Sequence, residues 1–211
     1  FSGSIETTDI NNAASTTATF SDNVTATITN SGTLLFNATD AKSVTGTIAE
    51  ATGGDTTEVQ VINSANSEAP SVVTFTAAVA ADTLTIGTTT YGGAALFEEA
   101  VTTPTISVVG GDHADEDSTV TFNKAVTSSS GITLNDQTGD AKVIFAANNS
   151  VTITGTIDGA SSDEGTLQIT GATKTFASVI GGTQALTLID IDGTSIFNAA
   201  VSATDIDHDG T

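Results

Sequence analysis

Apolar residues fall on alternate positions in short runs, and Gly, Asn, Asp and Ser break the runs every few residues. Leu84-Thr85-Ile86, Ile132-Thr133-Leu134, Leu167-Gln168-Ile169 and Leu186-Thr187-Leu188 each place their outer residues on one face of an extended strand. A second kind of run ends in Phe and resumes at Val: VTFTAAV around Phe75, ALFEEAV around Phe97, VTFNKAV around Phe122 and SIFNAAV around Phe197, with looser copies at Phe20 and Phe176. Alternation fails just after the Phe. The next same-face positions are Glu99 and Lys124, yet the Ala and Val beyond them are apolar again. This predicts a bend after each Phe, with the strand pattern restarting on the far side. Asn37, Asn123 and Asn198 follow Phe directly, and asparagine tolerates the left-handed backbone that a corner can use.

The spacing of these units sets the architecture. Several neighbouring Phe residues lie about 21 to 25 positions apart, the length of one coil of a stacked β structure. A longer repeat overlies the short one. The segment from Gly32 aligns with that from Ala141, so that Phe36 matches Phe145, Gly46 matches Gly155 and Ile48 matches Ile157. A one-residue slip then pairs Val59 and Val61 with Leu167 and Ile169. The fold expected is all-β: a β-solenoid, parallel β-helix-like, built from an internal duplication. The alternative is two tandem Ig-like β-sandwich domains, because half of the chain matches that domain size. On either reading residues 1–19 form a polar lead-in or exchange arm. Residues 20–111 and 119–204 form the two β repeat halves, 112–118 an acidic junction and 205–211 an acidic C-terminal tail.

Composition narrows the function. Thr, Ser, Asn, Asp and Gly dominate the non-apolar positions, and strong helix formers other than Ala are scarce. The chain has 25 acidic residues against four Lys, with no Arg, for a net charge of −21. Such a surface repels phosphate backbones and anionic lipid, so neither nucleic-acid binding nor membrane insertion is expected, and it favours divalent cations. There is no Cys, Met or Trp and one tyrosine, Tyr91. The chain opens at Phe1 without Met or a basic-then-apolar leader, and is read as a processed or internal piece of a longer product.

The run VTFNKAVTSSSGITLNDQTGDAKVIF, from Val120 to Phe145, resembles repeats of bacterial surface proteins: S-layer proteins, secreted adhesins and autotransporter passenger domains. Looser versions cover most of residues 20–201. The resemblance implies an extracellular or cell-surface structural subunit that assembles with copies of itself into a layer or filament. An adhesin stalk or binding module is the alternative, and a polysaccharide-active β-helix enzyme stands behind both.

Candidate chemistry is acidic. Asp205, Asp207 and Asp209 before Gly210 have the D-x-D-x-D-G spacing of a calcium loop, in which alternate carboxylates converge on one ion when the loop curls. The bidentate acid that completes such a loop lies beyond the spacing this sequence supplies. A second cluster, Asp112, Asp115, Glu116 and Asp117 with His113 beside them, reads either as a solvated linker or as a Ca²⁺ clip at the junction of the halves. Oxygen-rich surroundings favour calcium over zinc. Asp190–Gly193, with two acids on one strand face before Gly, reads as a strand end entering a turn, and Asp158-Gly159 and Asp163–Gly165 read as turns. Both His residues lie in acidic segments without a nucleophile context, so no catalytic residue is assigned and no enzyme is expected. Asn23, Asn37 and Asn148 begin Asn-x-Ser/Thr triplets.

Overall fold

The computed structural model describes residues 1–51, 56–64 and 69–209. The protein is a β-solenoid of about eight turns. Among the described residues every strand pairing is parallel, with strand following strand around three walls, in place of the antiparallel pairing of tandem sandwiches. No helix occurs among the described residues.

One middle coil shows the plan. Strand β14 (Ser118–Phe122) lies on the first wall, β15 (Val126–Thr127) on the second and β16 (Gly131–Asn135) on the third. The next coil repeats the order with β17 (Ala141–Phe145), β18 (Val151–Thr154) and β19 (Ile157–Gly159). The bend expected after Phe is present: residues 123–125 turn the chain from β14 into β15. The left-handed asparagine is not. Among the described non-glycine residues only Ser15 and Asp163 have positive φ, and Asn37 instead uses its side chain to bond the next coil.

Residues 1–19 are part of the rod. Strand β1 (Ile5–Asn12) pairs with β3 (Val24–Asn30), with one register shift between Glu6 and Asp9, and β2 (Thr17–Phe20) pairs with β4 (Thr33–Asn37). The acidic segment 112–118 does not divide the interior either, because one apolar cluster runs from Phe20 to Ile191.

Parallel in-register stacking puts like side chains above one another. On the first wall the inward column reads Val44, Phe75, Phe97, Phe122, Phe145, Ile169, Ile191. All nine Phe residues join one continuous stack, from Phe1 to Phe197, with successive ring centroids 4.7 to 5.6 Å apart. The stack changes walls twice. Phe20 and Phe36 project from the third wall, Phe75 to Phe145 from the first, and Phe176 and Phe197 from the second. Between successive rings on one wall the interplanar angle stays within 8–24°. At the two switches it rises to 87° and 81°. Rings that enter from the same direction stack; rings that enter from different walls meet edge to face, and both geometries are favourable.

The corners are held by polar side chains turned inward. Where the second wall meets the third, Asn12, Asn30, Thr57, Thr103 and Ser128 are buried in turn. Asn12 Nδ2 donates to Asn30 Oδ1 at 2.9 Å, and Asn30 Nδ2 donates to Gly32 O at 2.8 Å. Ser128 Oγ donates to Gly131 O at 2.8 Å. The bonds to Gly32 O and Gly131 O satisfy backbone groups that a corner removes from the sheet ladder.

The long repeat is present but rotated. Phe36 lies on the third wall and Phe145 on the first, and the strands that follow each are likewise one wall apart. The glycine turn nonetheless has the same backbone form: Gly46 and Gly155 have φ of 118° and 124°. A Cβ on either would lie 2.1 Å from the carbonyl oxygen of Ala26 or Ser128 in the preceding coil, so only glycine fits.

Two ionisable side chains are buried among the described residues, Glu116 at a corner and Lys174 on a wall. Lys174, on β21 (Lys174–Phe176), is fully buried and faces the interior. Its Nζ donates to the carbonyls of Ala147 and Thr170 at 2.8 Å each, and to that of Ala172. Burial pushes its pKa below the ordinary 10.5.

Two outcomes follow from this core. Phe122→Ala should cost about 3–5 kcal/mol, and Phe197→Ala, at a half-buried end of the stack, clearly less; urea denaturation of the two variants measures the difference. For Lys174 the folded pKa lies below the unfolded one, so its contribution is complete above 10.5 and is lost as pH falls through the folded value. The stability of the parent protein relative to Lys174→Met should therefore rise between neutral pH and 10.5, and a flat difference would contradict the assignment.

Candidate metal centre

The acidic segment forms the corner between β13 (Thr105–Val109), on the third wall, and β14 on the first. Its path is fixed by backbone bonds: Gly111 N–H donates to Glu116 O at 2.8 Å, and Glu116 N–H to His113 O at 3.1 Å. Glycines from the neighbouring coils close over it. A Cβ on Gly92 or Gly139 would sit 2.6 or 2.5 Å from Glu116 O. The corner is thus a tight turn clamped between coils.

Within it Asp112, His113 and Glu116 offer one ligand atom each, all within 4.8 Å of one another. Glu116 is buried, with Oε2 accepting the His113 backbone N–H at 3.3 Å, while Asp112 and His113 are exposed. His113 Nε2 stands 3.7 Å from Asp112 Oδ1. The donor set is one imidazole nitrogen and two carboxylate oxygens, which with added water suits a divalent cation. Contraction of the present spacing would be needed to close a first coordination shell.

The other two acids of the segment lie apart from that group. Asp115 is exposed. Asp117 Oδ1 accepts the backbone N–H of Asp140 in the next coil at 2.8 Å. Asp136 works the same way, accepting Ala141 N–H at 2.7 Å and Gly165 N–H at 2.8 Å. Asp136 and Asp140 were not among the sequence candidates. Their signal was the turn context around Gly139, which gives no indication of coil-to-coil bonding.

The C-terminal acids take a different form from a curled loop. Residues Ala203–His208 form β24, an extended strand paired with β22 (Leu186–Ile191), so that Asp205 lies beside Leu188 and Asp207 beside Asp190. Alternate residues of a strand share a face about 6.6 Å apart. Asp209 follows the strand, and Gly210 and Thr211 lie outside the described residues. The neighbouring rung shows how such acids are accommodated: Gln168 Nε2 donates to Asp190 Oδ2 at 2.9 Å and to Asp192 Oδ2 at 3.2 Å. The sequence explains the likeness. Residues 205–210, DIDHDG, repeat the pattern of residues 188–193, LIDIDG, one rung earlier.

Burial, followed by the charges of Asp117 and Asp136, raises the Asp140 pKa above 3.8. A raised folded pKa means stability present below the unfolded value and lost as pH rises through the folded one. At neutral pH the ionised group therefore opposes folding. Asp140→Asn, which leaves the backbone bond to Asp117 intact, should stabilise the protein by on the order of a few tenths of a kcal/mol, because solvent screens an exposed carboxylate. Its advantage should vanish near pH 3.8 in parallel acid titrations of unfolding.

No protein-family model matches this chain, and no curated protein or solved structure matches it either.

Proposed function

We propose that this chain is a structural subunit of an extracellular surface layer or filament, which assembles with copies of itself and is stiffened by calcium. The observation that carries the reading is the unbroken phenylalanine stack. Inward positions from end to end serve coil-on-coil burial, which makes a rod. The outer walls are ranks of Thr, Ser and acidic residues; Thr102, Thr127 and Thr154, for example, stand in register and exposed on the second wall. Within the described residues β1 pairs with β3 alone and β24 with β22 alone, so each offers a parallel edge to a further strand.

Charge gives calcium its role. Glu6 and Asp9 lie on β1, and Asp205 and Asp207 on β24, so apposed ends repel until a divalent cation intervenes. Asp112 and Glu116 at the central corner, and Asp209 beside β24, are further oxygen donors. A weak site with Kd of about 10⁻⁴–10⁻³ M, at calcium tenfold above Kd, contributes about 1.4 kcal/mol. Such a term becomes large when repeated along an array.

A binding-module reading rests on a shallow groove along the second corner, lined by Ser15, Thr16, Thr17, Ser31, Thr33 and Thr56. Those hydroxyls suit a glycan, and a glycan array probed with monomer tests that reading.

Electron microscopy and sedimentation of the purified chain, in calcium and in chelator, test the scaffold. Assemblies are expected in calcium, with fewer or shorter ones in chelator and in Asp205→Asn/Asp207→Asn. Monomers in both conditions would overturn self-assembly, and identical assemblies in both would remove the cation from the account.

A further inference from the structure

The chain carries Asn-x-Ser/Thr triplets at Asn23, Asn37 and Asn148, the acceptor pattern for oligosaccharide transfer to an asparagine amide. The fold treats the three differently. Asn37 is held at both ends of its amide: Nδ2 donates to Ser64 Oγ at 2.8 Å, and Oδ1 accepts Ser64 N–H at 3.1 Å. The following residue, Ala38, is buried and donates its N–H to Ile62 O at 3.1 Å. Asn23 is exposed, but its Oδ1 accepts Ser43 N–H at 2.8 Å from the next coil. The rest of its triplet enters β3, where Val24 is buried and paired with Ile5 on one side and Val44 on the other. For a transferase to grip either triplet, a strand would have to leave its wall.

Asn148 is placed otherwise. Asn148, Asn149 and Ser150 are all exposed and lie outside the strands, in the corner between β17 and β18. That corner spans residues 146–150, whereas its equivalents in the three preceding coils span only 76–78, 98–100 and 123–125. The corner is thus two residues longer than these, and its residues 148–150 are the exposed ones. Its base stays fixed, because Ala147 is buried and its carbonyl accepts Lys174 Nζ at 2.8 Å and Ala172 N–H at 3.1 Å. An exposed acceptor triplet therefore stands on an anchored insertion.

We infer that Asn148 is an acceptor for an N-linked oligosaccharide, and that the folded rod withholds Asn23 and Asn37. The donor class is an oligosaccharide carried on a polyprenyl pyrophosphate. Asn148 Nδ2 attacks the anomeric carbon, and the bond from that carbon to the pyrophosphate oxygen breaks, its electron pair leaving with the lipid pyrophosphate. The new C–N bond forms as Nδ2 gives up one proton to a base of the transferase. The amide must be free to twist out of conjugation, which the Ser64 bonds deny to Asn37. A glycan at this corner projects from the seam between two walls and leaves the interior stack untouched. The inference stands whether or not the rod assembles.

The test uses folded protein, a purified oligosaccharyltransferase and its lipid-linked donor, with peptide mass spectrometry as the readout. Synthetic peptides spanning each triplet serve as unfolded controls. All three peptides should accept the glycan, while the folded protein should carry it at Asn148 alone. Asn148→Gln should lose all modification with an unchanged melting curve. Modification of Asn23 or Asn37 on the folded protein would overturn the inference. So would a bare Asn148 on the folded protein, or an Asn148 peptide that is not an acceptor.

Discussion

A single coil of this protein cannot bury its apolar residues by itself; the three walls enclose them only when a coil above and a coil below complete the cover. Stability therefore resides in the contacts between rungs, and register is the variable that controls them. A shift of one residue in any strand would exchange inward Phe and Val for outward Thr and Lys. The phenylalanine stack opposes such slippage on the first wall, where Phe75, Phe97, Phe122 and Phe145 lie in one paired column. Rings packed at these distances add an aromatic contribution to the area they bury.

The corners face the opposite problem. Each turn takes backbone groups out of the ladder, and an unpaired buried N–H or C=O costs about as much as a lost hydrogen bond. The protein meets this with short polar side chains at most corners, with glycine where a neighbouring carbonyl comes too close, and with a lysine at one. Lys174 fills the role with a charge: its three donors satisfy three carbonyls around the widened corner at 146–150 and the one above it. A neutral side chain with fewer donors would leave some of those carbonyls unmatched. Several acids share the task. Asp117, Asp136 and Asp82 all accept backbone N–H groups from an adjacent coil, so part of the large negative charge is structural.

Walls were more legible in the sequence than corners, for a physical reason. Alternation with period two reports the inward face directly, so Phe75 to Phe145 and the LTI-type runs were readable as stacked strands. Corner chemistry depends on which residue of another coil lies alongside, and sequence spacing does not give that. Asp117 looked like part of a metal cluster because four acids lie close in sequence; in the fold its carboxylate serves the next coil's backbone. Lys174 lies in K-T-F, two residues before Phe176, and so has the parity of an inward residue. The C-terminal D-x-D-x-D-G spacing fits a loop and a strand equally well. Its resemblance to residues 188–193 was the available sign that it forms another rung.

The rotated duplication suggests what the unit of repetition is. Phe36 and Phe145 align in sequence but occupy different walls, and Gly46 and Gly155 make turns of the same backbone form at different corners. If a whole coil were the unit, equivalent residues would fall on equivalent walls. A smaller unit fits better: a strand, a glycine corner and the next strand. Such a unit works on any wall, because each wall asks the same thing of it, an alternating strand of pitch-matched register and a carbonyl beneath the glycine. Coil length can then vary through the remaining corners, as at 146–150, without disturbing the strands on either side. That tolerance at the corners, set against strict register on the walls, is what lets an otherwise uniform rod carry local chemistry.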